Sequence, residues 1–345
     1  MKTISANKQF LTDLFSGEFR GHAVIMNTPW IDDGGLGDFT VSTRPVSDWV
    51  PVAIKRYEMA VKYQQEVQDD SVPYDRIVQT NTGIFASAFG CKIHVYDMAT
   101  NAAAMPMLDD VADADALPEP ELDGPVFSRI FELARLMRSE LGPDVPICVP
   151  DMQSPLDVAA LIWNKQYFFE AMLDYPESVH NLIGKCRRFI EKFVDTYIAE
   201  IGNVNLCHCP TFWAPPALGI SMSEDEIGAL SRDMFNEFCL PTLTEMSNKY
   251  GGIFLHCCAN ADHQYEGLQK LPNFRGLNRE LGASDRRLTV NTFAGKTVLN
   301  VAWQPIEAVE ALMDMAKPNS RFLFNMDSTD IDDAKRTYER VKSRM

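Results

Sequence analysis

The chain has 345 residues, 46% hydrophobic and 23% charged, which is enough apolar material for a large core and excludes bulk disorder. Its 48 acidic and 32 basic side chains give a formal net charge of -16, and the basic clusters are short (Lys185, Arg187 and Arg188; Arg286 and Arg287), so neither nucleic acid nor a membrane surface is an expected partner. No apolar run approaches the ~18 residues of a membrane span, the start MKTISANKQF lacks the apolar stretch of a secretion signal, and the eight cysteines read as thiols of a cytoplasmic protein.

Phe10, Leu11, Leu14 and Phe15 recur at helical spacing in a segment from Asn7 to Ser16 that Gly17 ends. His22 to Met26 is a weak first strand, and a helix follows from about Pro51 to Gln68. Ile77 to Gly83 reads as a second strand. The alternating run Lys92 to Tyr96 after Gly90 predicts a hairpin over one end of the fold. Residues 100–125 are acidic and Pro-rich, a surface excursion. Helices follow at about Pro125–Leu141, Pro155–Ala171 and Pro176–Ile201, with a short strand at Val145–Pro150 before Asp151. Asn203 to Cys209 is a strand. Ser223 with Glu226 three residues on is a capping pattern, and a helix over Ser231–Tyr250 contains Pro241 as a kink or junction. Gly252–Cys258, Phe274–Leu277, Thr297–Val301 and Arg321–Asn325 are apolar strands separated by helices.

Short strands alternating with helices predict parallel βα units, and the count of eight predicts an α/β fold, a (β/α)8 TIM barrel forming one domain over 1–345. A doubly wound sheet is the rival, but no glycine-rich dinucleotide fingerprint follows any strand.

The sharpest chemical signal is Leu255-His256-Cys257-Cys258. Strand side chains alternate, so His256 and Cys258 share a face at the strand end where barrel sites lie, and Cys257 points away. Imidazole and thiolate both bind zinc; the bland alternative is a hydrogen-bonded core histidine and a small buried thiol. A third ligand is open among Cys207, Cys209, Asn325 and Asp327, while His208 faces away if its strand is regular. Asp151 and His256 are candidates for proton transfer. Gln153, Trp213, Glu224, Asp225, Asn260 and Trp303 are candidates for lining a substrate pocket, with Phe212, Tyr265, His263 and Asn278 weaker.

The chain resembles the uroporphyrinogen decarboxylase superfamily, nearest its zinc-dependent, corrinoid-linked methyltransferase branch. The resemblance rests on Asp151-Met152-Gln153-Ser154-Pro155-Leu156-Asp157, Asp174 to His180, Met222-Ser223-Glu224-Asp225, and Ser231 through Pro241 to His256-Cys257-Cys258. It implies zinc ligands at His256 and Cys258 and a third from a cysteine after the last strand. This sequence has none there: it reads Asn325-Met326-Asp327. Ala259 also replaces a usual glycine, and His22 to Asp33 has no arginine where the decarboxylases hold substrate carboxylates.

Three functions follow. One is methyl transfer from a methylated donor to a thiol at a zinc, the donor being a corrinoid that arrives free or on a separate protein. The second is a metal-free decarboxylase or lyase using Asp151 and His256. The third is a ligand-binding barrel with altered chemistry. A small-molecule substrate is expected in each, and a homodimer by resemblance.

Overall fold

A computed structural model describes every residue except 1, 32–33, 77–79, 97–101 and 282–283. Ten strands occur among the described residues: β1 (His22–Met26), β2 (Lys92–Val95), β3 (Ala102–Met105), β4 (Ile147–Cys148), β5 (Val204–Asn205), β6 (Ile220–Ser223), β7 (Ile253–Cys257), β8 (Phe274–Arg279), β9 (Val298–Ala302) and β10 (Phe322–Met326).

Six strands form one parallel sheet in the order β1-β10-β9-β8-β7-β6, and β4 pairs parallel with β5. Backbone contacts carry the wall onward from both edges. Ser221 N donates to Leu206 O (3.2 Å), and Gln153 bridges Ser223. Asp75 bridges Ile147, and Asp70 N donates to Val24 O (3.0 Å). The sheet strands are buried on both faces because helices cover them outside and packed side chains, apolar for the most part, fill them inside, as a barrel requires. The long helix Pro176–Ile201 buries Val179, Leu182, Ile183, Cys186, Phe189, Ile190 and Phe193 as one stripe.

Four expectations need correction. Of the strand expected over Ile77–Gly83, residues 77–79 lie outside the described ones, residues 80–83 are not strand, pairing falls on Asp75, and Gly83 precedes the helix Ile84–Ala88. Residues 220–223 form β6, an extra short strand inserted between β5 and β7. Ser223 is therefore a strand residue and no cap; Asp157 instead accepts the backbone N–H groups of Asp225 (2.8 Å) and Glu226 (3.0 Å). The helix expected over Pro155–Ala171 breaks at Trp163 into Pro155–Ile162 and Lys165–Asp174.

Pro241 sits at a junction, as expected, in the first turn of the helix Leu240–Tyr250. It follows a wide π turn, Phe235–Cys239, in which Leu240 N reaches back to Phe235 O, and the helix then runs on as Leu240–Tyr250. The expected hairpin strand Lys92–Val95 forms, and its antiparallel partner is Ala102–Met105, inside the stretch expected as a surface excursion.

Candidate metal and active site

β7 delivers the site. Its residues are all buried, and its register sets His256 beside Asn278 on β8, which itself faces Asn300 on β9. The three side chains, with Asn325 on β10, form a buried polar ladder across four strands. His256 Nδ1 lies 2.6 Å from Asn278 Oδ1. Asn278 Nδ2 donates to Asn300 O (3.0 Å) and Oδ1 (3.1 Å), and Asn300 Nδ2 donates to Asn325 Oδ1 (2.6 Å). Because the Asn278 amide nitrogen is spent on Asn300, its oxygen faces the imidazole. Nδ1 therefore carries the ring proton, and Nε2 keeps its lone pair.

His256 is 8% exposed and Cys258 is exposed. Asp225, just past β6, is the third member. The ligand atoms of Asp225, His256 and Cys258 all lie within 4.8 Å of one another, close enough to hold one metal ion. Asp225 Oδ1 accepts the Cys258 N–H at 2.6 Å, which ties the two loops together. Partial burial and the neighbouring Asp225 carboxylate push the Cys258 thiol up to about 11.

Beside this cluster opens a cavity of about 430 Å³, lined by Asp151, His208, Cys209, Trp213, Trp303 and Asn325 among others. Trp303 joins cavity and cluster: its ring meets His256 edge-on at 5.8 Å, and it is held at φ 57°, a left-handed conformation that a tryptophan rarely adopts. Such a conformation costs about 1–3 kcal/mol and collects at functional sites. Asp151 Oδ1 accepts from Gln153 Nε2 at 2.5 Å, and burial lifts the Asp151 carboxyl to about 6.

The other residues read from the sequence fall in different places. Cys207 is fully buried, its thiol bonded to Pro210 O, so it is walled off from the cluster. Cys209 lines the cavity, and burial with Asp151, Asp225 and Cys258 nearby raises its thiol pKa. Asn325 is the far end of the ladder and Asp327 pairs with Asn27 Nδ2 (2.8 Å); neither groups with His256 and Cys258. Glu224, read as a pocket residue, is completely buried; with Asp157 and Cys239 for neighbours it does not line the cavity. Asn260 is exposed outside it, and the Tyr265 hydroxyl pairs with Thr289 Oγ1 (2.7 Å).

Two features escaped the sequence reading. His208 lines the cavity because the regular strand stops at Asn205, so alternation no longer applies three residues later. Arg56 and Arg76 also line it, from a helix and from the turn after Asp75, outside the segment searched for countercharges.

The sequence profile described as Uroporphyrinogen decarboxylase (URO-D) matches residues 76–284, more than half the chain. The chain belongs to the uroporphyrinogen decarboxylase family. A solved methyltransferase from Methanosarcina mazei shares the fold: 14% identity, 99% of each chain covered, TM-score 0.67. The metallated form of the homocysteine methyltransferase MmuM from Escherichia coli covers 68% of this chain and 96% of its own at 13% identity, with a TM-score of 0.25 too low to bear on the argument. No curated protein matches by sequence. Among the described residues, no helix is long and apolar enough to cross a membrane.

Proposed function

We propose that the chain is a zinc-dependent methyltransferase that moves a methyl group from a methylated donor to a small thiol, with Asp225, His256 and Cys258 as the metal ligands. The convergence of one carboxylate, one imidazole and one thiol within 4.8 Å supports this reading above all else. Three protein donors with a position left open are the usual set of a catalytic zinc, and zinc bound there keeps a thiol ionised at neutral pH. Asn278 occupies Nδ1 of His256 and so leaves Nε2 as the nitrogen that would ligate the metal. Trp303 and Trp213 wall the cavity beside the cluster. The methyltransferase from Methanosarcina mazei is a fold relative whose activity agrees with this reading. A corrinoid donor would come free or on a separate protein.

The test is metal retention together with turnover. Dialysed against a weak chelator, the chain should keep one zinc, and His256→Ala, Cys258→Ser and Asp225→Asn should each weaken retention by about 100-fold or more. Methylcobalamin with an alkyl thiol should then be demethylated by the parent chain and not by these variants. Zinc held equally by all four chains would sink the assignment. A second reading, metal-free decarboxylation or lysis with Asp151 moving the proton, draws on that carboxyl being lifted to about 6, near neutrality. Carbon dioxide release from a carboxylic acid substrate in the presence of chelator would favour it.

A further inference from the structure

Trp303 is held in a backbone conformation that its residue type does not explain. Its φ of 57° is left-handed. The other non-glycine residues there, among the described ones, are Gln68, which caps a helix, and Asn273, whose short amide tolerates that region. The connection explains why some residue must bend so. β9 ends at Ala302, paired with Asn325, and the next helix opens at Ile306, so only Trp303, Gln304 and Pro305 join strand to helix. Gln304 cannot take up the bend: it precedes proline, which favours an extended backbone, and its Nε2 donates to Glu280 Oε1 (3.2 Å). Glycine or asparagine in place of Trp303 would make the turn at little cost. Burial does not offset the strain, because 51% of Trp303 stays exposed, against 8% of Trp213. What remains is the position of the indole. Trp303 lines the cavity, whereas Asp225, His256 and Cys258 do not, and its ring meets the His256 imidazole edge-on at 5.8 Å. The indole stands where the cavity meets the cluster, and strain of this kind collects where a side chain is needed in one place.

We propose that Trp303 determines which acceptors the site takes: its indole narrows the way from the cavity to the cluster, admits thiols unbranched at the carbon bearing sulfur, and turns away thiols branched there. This rests on the thiol-methylating reading above. The basis is steric. A thiol that reaches the cluster brings its first carbon to within one bond of the sulfur, so bulk on that carbon meets the nearest wall. An indole set by a short connection between a paired strand and a helix yields less than a side chain free to swing. Bulk further along the acceptor stays in the cavity, whose volume of about 430 Å³ accommodates it. Selection therefore acts on branching at one carbon and is indifferent to branching at the next.

Isomeric thiols test this without any turnover. Zinc-loaded chain is titrated calorimetrically with 1-butanethiol, 2-methyl-1-propanethiol and 2-methyl-2-propanethiol, which share one composition and differ in where they branch. The parent chain should bind the first two alike and the third about 10-fold or more weaker. Trp303→Gly and Trp303→Asn both suit the left-handed backbone and remove the indole. Each should bring the third thiol to within about threefold of the others, keep zinc retention unchanged, and melt no lower than the parent chain. A parent chain that binds all three isomers alike overturns the sieve and leaves thiol binding standing. So does the parent preference persisting in both variants. Loss of zinc from both variants, or an equal fall in affinity for all three thiols, makes Trp303 a support for His256 and rejects the proposal. A zinc-loaded parent chain that binds none of the three overturns the thiol reading and the sieve with it.

Discussion

Asn278 does for His256 what a side chain behind a metal ligand usually does: it selects the tautomer and fixes the ring plane. Replacing Asn278 by Leu removes the acceptor while keeping the volume. Zinc affinity should fall by about 10–100-fold with the fold intact, read as a shift in competition against a chelator. Behind the site, Asp157 and Glu224 are buried acids that interact, and burial first, then neighbouring carboxylates, raise both. Asp157 goes from 3.8 to about 8. Between those values the unfolded chain has released a proton that the folded chain retains, so stability falls as pH rises through that window. Thermal melts should show a higher midpoint near pH 5 than near pH 8. Glu224→Gln, which removes one of the two acids, should flatten that slope by about half or more.

At the scale of elements, the site depends on β6 and β7 starting in register. Gly219 has φ 83°, and a Cβ placed there would sit 2.0 Å from Gly252 O, so the entry to β6 tolerates only glycine. Gly219→Ala adds a left-handed strain and a backbone clash, each about 1–3 kcal/mol, and should lower the melting midpoint by several degrees. It should also weaken zinc retention, because β6 carries Asp225 toward the ends of β7. Loss of stability with metal affinity unchanged would mean that Asp225 does not depend on that register. The π turn before Pro241 is a second local device. By lengthening one turn it spares the proline ring the carbonyl it would strike in a regular helix, and a new α-helix begins at Leu240.

For the whole molecule, the charge of -16 surrounds a cavity that contains Arg56 and Arg76. Long-range repulsion is screened over about 10 Å at 0.1 M salt. Association of thioglycolate should therefore quicken severalfold as salt rises, while that of neutral 2-mercaptoethanol stays flat; stopped-flow binding distinguishes them.

The barrel and its best site pair were legible because both obey local periodicity. Short apolar strands between amphipathic helices gave the architecture, and two-residue alternation put His256 and Cys258 on one face. What was hidden depended on chain geometry after strands end. Asp225 joins the cluster because β6, a strand of only four residues, lifts it there. His208 enters the cavity because its strand is regular for just two residues. The cysteine absent after the last strand pointed to Asn325 and Asp327, whereas the acid beside Cys258 comes from the opposite edge of the six-stranded sheet.

The central claim is that one carboxylate, one imidazole and one thiolate share an ion. X-ray absorption at the zinc edge of the loaded chain tests it most directly. The account predicts one sulfur near 2.3 Å with nitrogen and oxygen neighbours near about 2.0–2.1 Å. The sulfur shell should vanish in Cys258→Ser and persist in Cys209→Ser. A spectrum without sulfur, or one whose sulfur belongs to Cys209, would contradict it.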